Sequence, residues 1–133
     1  MSIEKAWTPE VQQSVFRVLL ESTSRPGKVL QLLRNDSGLA PVLGVLATLV
    51  DGAVSLHDRT KTLEKRVWNF LQARQECPEK AHFILASGSS TPDFSPCLGS
   101  LESPEAGATL VITVDSLGHG PLSLVLQGPG IQT

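Results

Sequence analysis

The sequence predicts an α/β fold: a mixed sheet flanked by helices and closed by a terminal β-hairpin. Three observations lead there. Amphipathic stretches of helical period alternate with short apolar runs, beginning at Thr8, Leu39 and Thr62 for the helices and at Val29, Val54 and His82 for the strands. The last third contains two apolar runs, Leu110–Val114 and Leu122–Leu126, separated by Gly118-His-Gly-Pro121, a turn-forming stretch. The chain has 133 residues, 41% of them apolar, which suits one domain, residues 1–133, with a core of its own.

Thr8-Pro9-Glu10 opens the first helix, with a hydroxyl at the cap, proline at the first helical position and an acid in the first turn. Val11, Val15, Val18 and Leu19 share one face, and Phe16 and Leu20 widen it. An arc that broad predicts contact on two sides. Pro26 stops the helix, because the residue before a proline avoids helical angles. Val29–Leu33 reads as a strand and Asn35-Asp-Ser-Gly38 as a turn. Leu39–Val50, with Pro41 in its first turn, is almost wholly apolar and is expected to be a buried helix.

Val54-Ser-Leu56 is a short strand. Thr62 begins a third helix in which Leu63, Val67, Phe70 and Leu71 keep the helical period, and Cys77-Pro78 ends it. His82–Ala86 is the next strand; a strand–helix–strand unit implies pairing that is at least partly parallel. Residues 87–104 form a Ser/Pro/Gly-rich loop with one helical turn expected at Pro92–Leu98. Leu110–Val114 is nearly continuously apolar and β-branched, which predicts a central strand covered on both faces. Leu122, Leu124 and Leu126 alternate with Ser123, Val125 and Gln127, as the outer arm of a hairpin would.

Charge excludes some classes of function. The net charge is −2, yet all 11 Lys and Arg fall at or before Lys80, and the acids beyond it (Asp93, Glu102, Glu105, Asp115) stand alone. A nearly neutral front half offers no basic stripe for nucleic acid. No run reaches the length a membrane span needs, and Met1-Ser-Ile-Glu-Lys has no signal-peptide character, so a cytoplasmic protein is expected. Cys77 and Cys97 follow no metal or redox spacing and read as free thiols. His57, His82 and His119 share no spacing that predicts zinc.

Candidate polar groups are few. Glycine-rich phosphate motifs and the G-x-S-x-G elbow are absent. Ser87-Gly-Ser-Ser90 suits an amide nest for an anion, though it holds no cation, and a solvated turn is the competing reading. His57-Asp58 suits an oriented base or a plain surface pair. Arg25-Pro-Gly-Lys28, with Arg17 on the helix before it, places cations around a rigid bend. Such a cluster would receive a phosphate or a partner's acidic face, or would simply be solvated. Arg17, Arg25, Lys28 and His57 are therefore the candidate anion or partner contacts, and no catalytic residue is assigned.

Ordered motifs then carry a resemblance. Phe16-Arg-x-Leu-Leu20 with Ser24-Arg-Pro-Gly27, then Val67-Trp-Asn-Phe-Leu-Gln72 with Ala81-His-Phe83, then Gly99 with Pro104-Glu-Ala-Gly-Ala-Thr-Leu110, and last Leu124-x-Leu-x-Gly-Pro-Gly-Ile131 together resemble PhnH, the H-subunit family of the bacterial carbon–phosphorus lyase system. The resemblance spans nearly the whole chain. It implies a fold similar to that of pyridoxal-phosphate-dependent transferases but without the cofactor site, so no cofactor and no metal are expected. It also implies partnership with sister subunits in phosphonate breakdown, supporting ATP-dependent formation of a ribose 1-phosphonate 5-triphosphate before C–P cleavage, and a homodimer when the subunit is alone. On this reading the isolated chain is inactive. The alternative is a stand-alone enzyme binding a phosphonate or nucleotide on the same scaffold, and a generic dimerisation module is a third reading. Family members continue past Gly-Pro-Gly-Ile, so either a short variant or a truncated chain is expected here.

Overall fold

A computed structural model describes residues 3–33, 37–118 and 120–128. The chain divides into two compact units, Met1–Thr48 with Ser116–Thr133, and Leu49–Asp115.

The first unit is helical. A 3-10 helix at Ile3–Trp7 leads into helix α1, Pro9–Ser24, whose cap residue Thr8 is extended, as the Thr-Pro start predicts. Helix α2, Pro41–Leu49, has no charged residue in its first or last turn. The two helices are tied where the Gln12 side-chain amide donates to the Ala47 carbonyl at 2.8 Å. Ala6, Leu39 and Ala47 form a buried cluster with Trp7, Val11, Leu33 and Leu43 against it. Gly44 permits close packing: a Cβ there would stand 3.3 Å from both the Leu33 and the Val15 side chains.

One expectation for this unit needs correction. Val29–Leu33 is not a strand. It holds one β-branched residue, and Leu33 packs into the helical cluster beside α2. The wide arc of α1 is covered on one side within the chain: Val15 is fully buried, whereas Phe16 and Leu20 are about half exposed or more.

The second unit is a four-stranded sheet in the order β2-β1-β3-β4, where β1 is Ser55–Asp58, β2 Arg74–Gln75, β3 Phe83–Ser87 and β4 Thr109–Thr113. All three pairings are parallel, so among the described residues the sheet is not mixed. Leu56 pairs with Phe83 and Phe83 with Thr109. β3 is buried through its middle, as an inner parallel strand should be. Helix α3, Lys65–Leu71, buries Val67 and Leu71. It ends sooner than Cys77-Pro78 would dictate, because Gln72 adopts a left-handed conformation at φ 59° and its amide closes on the Trp68 carbonyl. The residues thus released pair as β2. The turn expected at Pro92–Leu98 is not helical; a 3-10 turn forms instead at Pro104–Ala106.

The end of the chain differs most from expectation. Among the described residues β4 is an edge strand, not a central one, and Leu110, Ile112 and Val114 are each more than two-fifths exposed. Apolar continuity records capacity for burial, and here the described chain leaves that capacity unused. Leu122–Gln127 carries no strand, so the second arm of the hairpin is not formed among the described residues. Pro121 withholds an amide just where a ladder would start.

Candidate functional site

In open parallel sheets, ligands favour the carboxyl ends of strands, where connections diverge and leave a crevice. Here the chain leaves β1 towards β2 on one side and leaves β3 towards β4 on the other, so that point lies between β1 and β3. At the end of β1 stand His57, Asp58 and Arg59, and at the end of β3 the Ser87–Ser90 loop.

A cleft of about 290 Å³ beside β1 is lined by His57, Asp58, Lys61, Trp68, Gln75 and Glu76. His57 Nδ1 lies 2.9 Å from the Glu76 carbonyl. A carbonyl only accepts, so Nδ1 carries hydrogen, and in the neutral ring the lone pair sits at Nε2. Nε2 is buried and has no hydrogen-bond partner. The adjacent acid does not orient this ring. The Asp58 carboxylate instead accepts from the amides of Thr60 at 3.0 Å, Lys61 at 3.1 Å and Leu63 at 2.9 Å, and from the Thr60 hydroxyl. Those bonds fold residues 58–63 into a tight loop in which Lys61 takes φ 56°. His57 is thus fixed by backbone, and Asp58 is a loop organiser.

His82, expected as a plain strand start, is tied to Ser55. The Ser55 amide donates to His82 Nδ1 at 3.0 Å, and the His82 amide donates to the Ser55 hydroxyl oxygen at 3.1 Å. Ser55 is 1% exposed, which makes the pair a brace between β1 and β3 and not a nucleophile.

The cationic cluster sits at the far end of α1. Lys28 Nζ pairs with Glu21 at 2.9 Å, and Arg25 adds its charge nearby, so the Glu21 carboxyl is held below its usual range, chiefly by the Lys28 hydrogen bond. Gly27, at φ 91°, makes the bend. Arg17 lies one turn before Glu21 on α1. Three of the four candidate contacts therefore belong to the first unit, while His57 belongs to the second.

The Ser87–Ser90 loop is no free amide nest: the Gly88 amide donates to the Thr113 carbonyl at 2.7 Å and the Ser89 amide to the Ser87 hydroxyl at 3.3 Å. Sequence reasoning missed Arg59. Its Nε donates to Asp93 Oδ1 at 2.9 Å, and Nη2 pairs with Oδ2 of the same carboxylate. The partners are 34 residues apart, with no local pattern to join them. Both cysteines are free, Cys97 half-buried and Cys77 exposed. Partial desolvation, with Glu76 and Glu79 adding to it, pushes the Cys77 thiol up, away from a reactive thiolate. The described residues contain no group of three or more His, Cys, Asp or Glu placed to hold a metal, and no helix long and apolar enough to cross a membrane.

The sequence profile of PhnH, described as bacterial phosphonate metabolism protein, matches residues 4–133. The chain belongs to the PhnH family. A relative from Stutzerimonas stutzeri, "Putative C-P lyase subunit protein HtxG", is 42% identical over 128 residues, which is 96% of this chain and 64% of the relative. The chain thus spans a little under two thirds of that relative's length.

Proposed function

We propose that this chain is a subunit of a bacterial C–P lyase assembly in phosphonate breakdown, acting through association with sister subunits and not by chemistry of its own. The observation that carries this reading is the family match across residues 4–133, with a relative named as a C–P lyase subunit. The surface is consistent with it. Among the described residues, Phe16 and Leu20 on α1 and Leu122, Leu124 and Val125 further along the chain are all at least half exposed, apolar surface that a partner could cover. In this role the chain supports the ATP-dependent step that forms a ribose 1-phosphonate 5-triphosphate before C–P cleavage, works in the cytoplasm and self-associates when its partners are absent. The cofactor-free, transferase-like sheet and the closing hairpin belong to the same proposal, the hairpin forming in the assembled protein. Arg17, Arg25 and Lys28 are the contacts for an acidic partner face, and His57 is a further candidate contact in the second unit.

Co-expression with the sister subunits and affinity capture of this chain tests the reading. Stoichiometric co-purification through gel filtration is expected. Recovery of the folded chain with none of them would refute it.

A further inference from the structure

A second cavity, of about 270 Å³, opens at the carboxyl end of β3 and along β4, where Arg59, Thr91, Phe94, Pro96, Leu110 and Ile112 are among its walls. Its place follows from the topology. The Arg59 amide donates to the Leu85 carbonyl at 2.8 Å, which seats Arg59 at the β1–β3 divergence. The walls combine a hydrocarbon lining with hydroxyls from Ser87, Ser90 and Thr91 and one ion pair, Arg59 with Asp93. That mixture is typical of sites that hold an apolar body and fix its polar end.

The ion pair at this cavity is itself informative. A guanidinium has two edges able to grip an oxyanion in parallel, the side edge of Nε with one Nη and the end edge of both Nη atoms. Asp93 occupies the side edge through Nε and Nη2. The end edge is left for another acceptor, with the planar group already oriented by Asp93. Because Asp93 balances Arg59, the site asks for no large ligand charge, and the volume, just below the roughly 300–1,000 Å³ usual for ligand sites, suits a small ligand.

We infer that this cavity binds a small amphiphilic anion: an oxyanion head on the free edge of Arg59, and a short hydrocarbon body against Phe94, Leu110 and Ile112. This follows from the geometry of the second unit and does not depend on the assembly proposed above. Either a carboxylate or a phosphonate head satisfies it.

Calorimetric titration of the full chain tests it, using hexanoate and butylphosphonate as tailed probes and inorganic phosphate as a head without a tail. Saturable binding of at least one tailed probe is expected, with inorganic phosphate weaker by about tenfold or more. R59Q should weaken the tailed probe by about tenfold or more, through loss of a charge-assisted pair of bonds. I112W, which fills the cavity from an edge strand, should abolish binding while leaving the urea midpoint unchanged. The better probe identifies the head group. Absence of saturable binding of both tailed probes at about 10 mM would overturn the inference. So would equal affinity for inorganic phosphate, or affinity unchanged in a folded I112W. Should R59Q not fold, I112W and the comparison with inorganic phosphate still decide.

Discussion

Removing the Asp58 carboxylate is expected to cost this small protein a large share of its stability. In D58A the amides of Thr60, Lys61 and Leu63 and the Thr60 hydroxyl all lose their acceptor. Lys61 would also keep its left-handed φ without the bond that favours it. A hydrogen bond to a charged group contributes about 1.5–3 kcal/mol when the surroundings are dry, and less where water can replace it. Lys61 and Thr62 are exposed, while Thr60 and Leu63 are half-buried. Counting the bonds from the exposed Lys61 amide and from the Thr60 hydroxyl as replaceable, and the other two at about 1–2 kcal/mol each because their donors are only half-buried, leaves a loss of about 2–4 kcal/mol. D58N retains one amide acceptor and should lose about half as much. Urea unfolding followed by circular dichroism reads this directly, as a lower midpoint at unchanged slope. A D58A protein within about 0.5 kcal/mol of the parent would refute the assignment of Asp58 as loop organiser.

Three further outcomes follow from the same structure. S55A deletes the hydroxyl that accepts from the His82 amide inside the β1–β3 brace, and should cost about 1–3 kcal/mol in chemical denaturation. G99A should be worse than an ordinary loop substitution, because Gly99 sits at φ 75° and a Cβ would come within 2.9 Å of the Gly107 nitrogen and the Ser103 carbonyl; a loss of about 1–3 kcal/mol is expected from the thermal midpoint. The Arg59–Asp93 pair should loosen in acid. Arg59 holds the Asp93 carboxyl below its ordinary value, so its stabilisation is complete above the unfolded carboxylate range and disappears as pH falls through the lower folded value. Amide exchange in residues 88–98 should therefore quicken, relative to the rest of the second unit, only below the ordinary aspartate range, and D93N should remove that dependence.

Much of this fold is written in local signals. Pro9 stands first in α1, although the Thr8 hydroxyl donates to the Lys5 carbonyl and does not cap the helix, and Pro41 sits at the head of α2. The strands at 55–58 and 83–87 stand close to their apolar runs, and the apolar face of α3 is the one its period marks. What could not be read locally is how each run is used. Val29–Leu33 and Phe83–Ala86 are both short apolar stretches, yet the first joins a helical core and the second a sheet, a choice made by partners distant in sequence. Leu110–Val114 resembles an inner strand by composition, but its rank in the sheet depends on what stands beyond it. The candidate site divides likewise. The cluster of Arg25 and Lys28 is contiguous and visible in the sequence, whereas Arg59 acquires its role from Asp93 across a crossover, where no spacing rule reaches.

The uniformly parallel ladder sets the order in which the second unit can form. Every one of its strand pairs needs an intervening crossover, and Ser55 meets His82 across 27 residues. No two-residue turn is on hand to seed the sheet cheaply, so chain entropy is surrendered before any ladder repays it. Helices α1 and α2 face no such delay. Stopped-flow refolding should accordingly show helical signal arriving ahead of the sheet, with β1 waiting for β3 as the step that sets the pace.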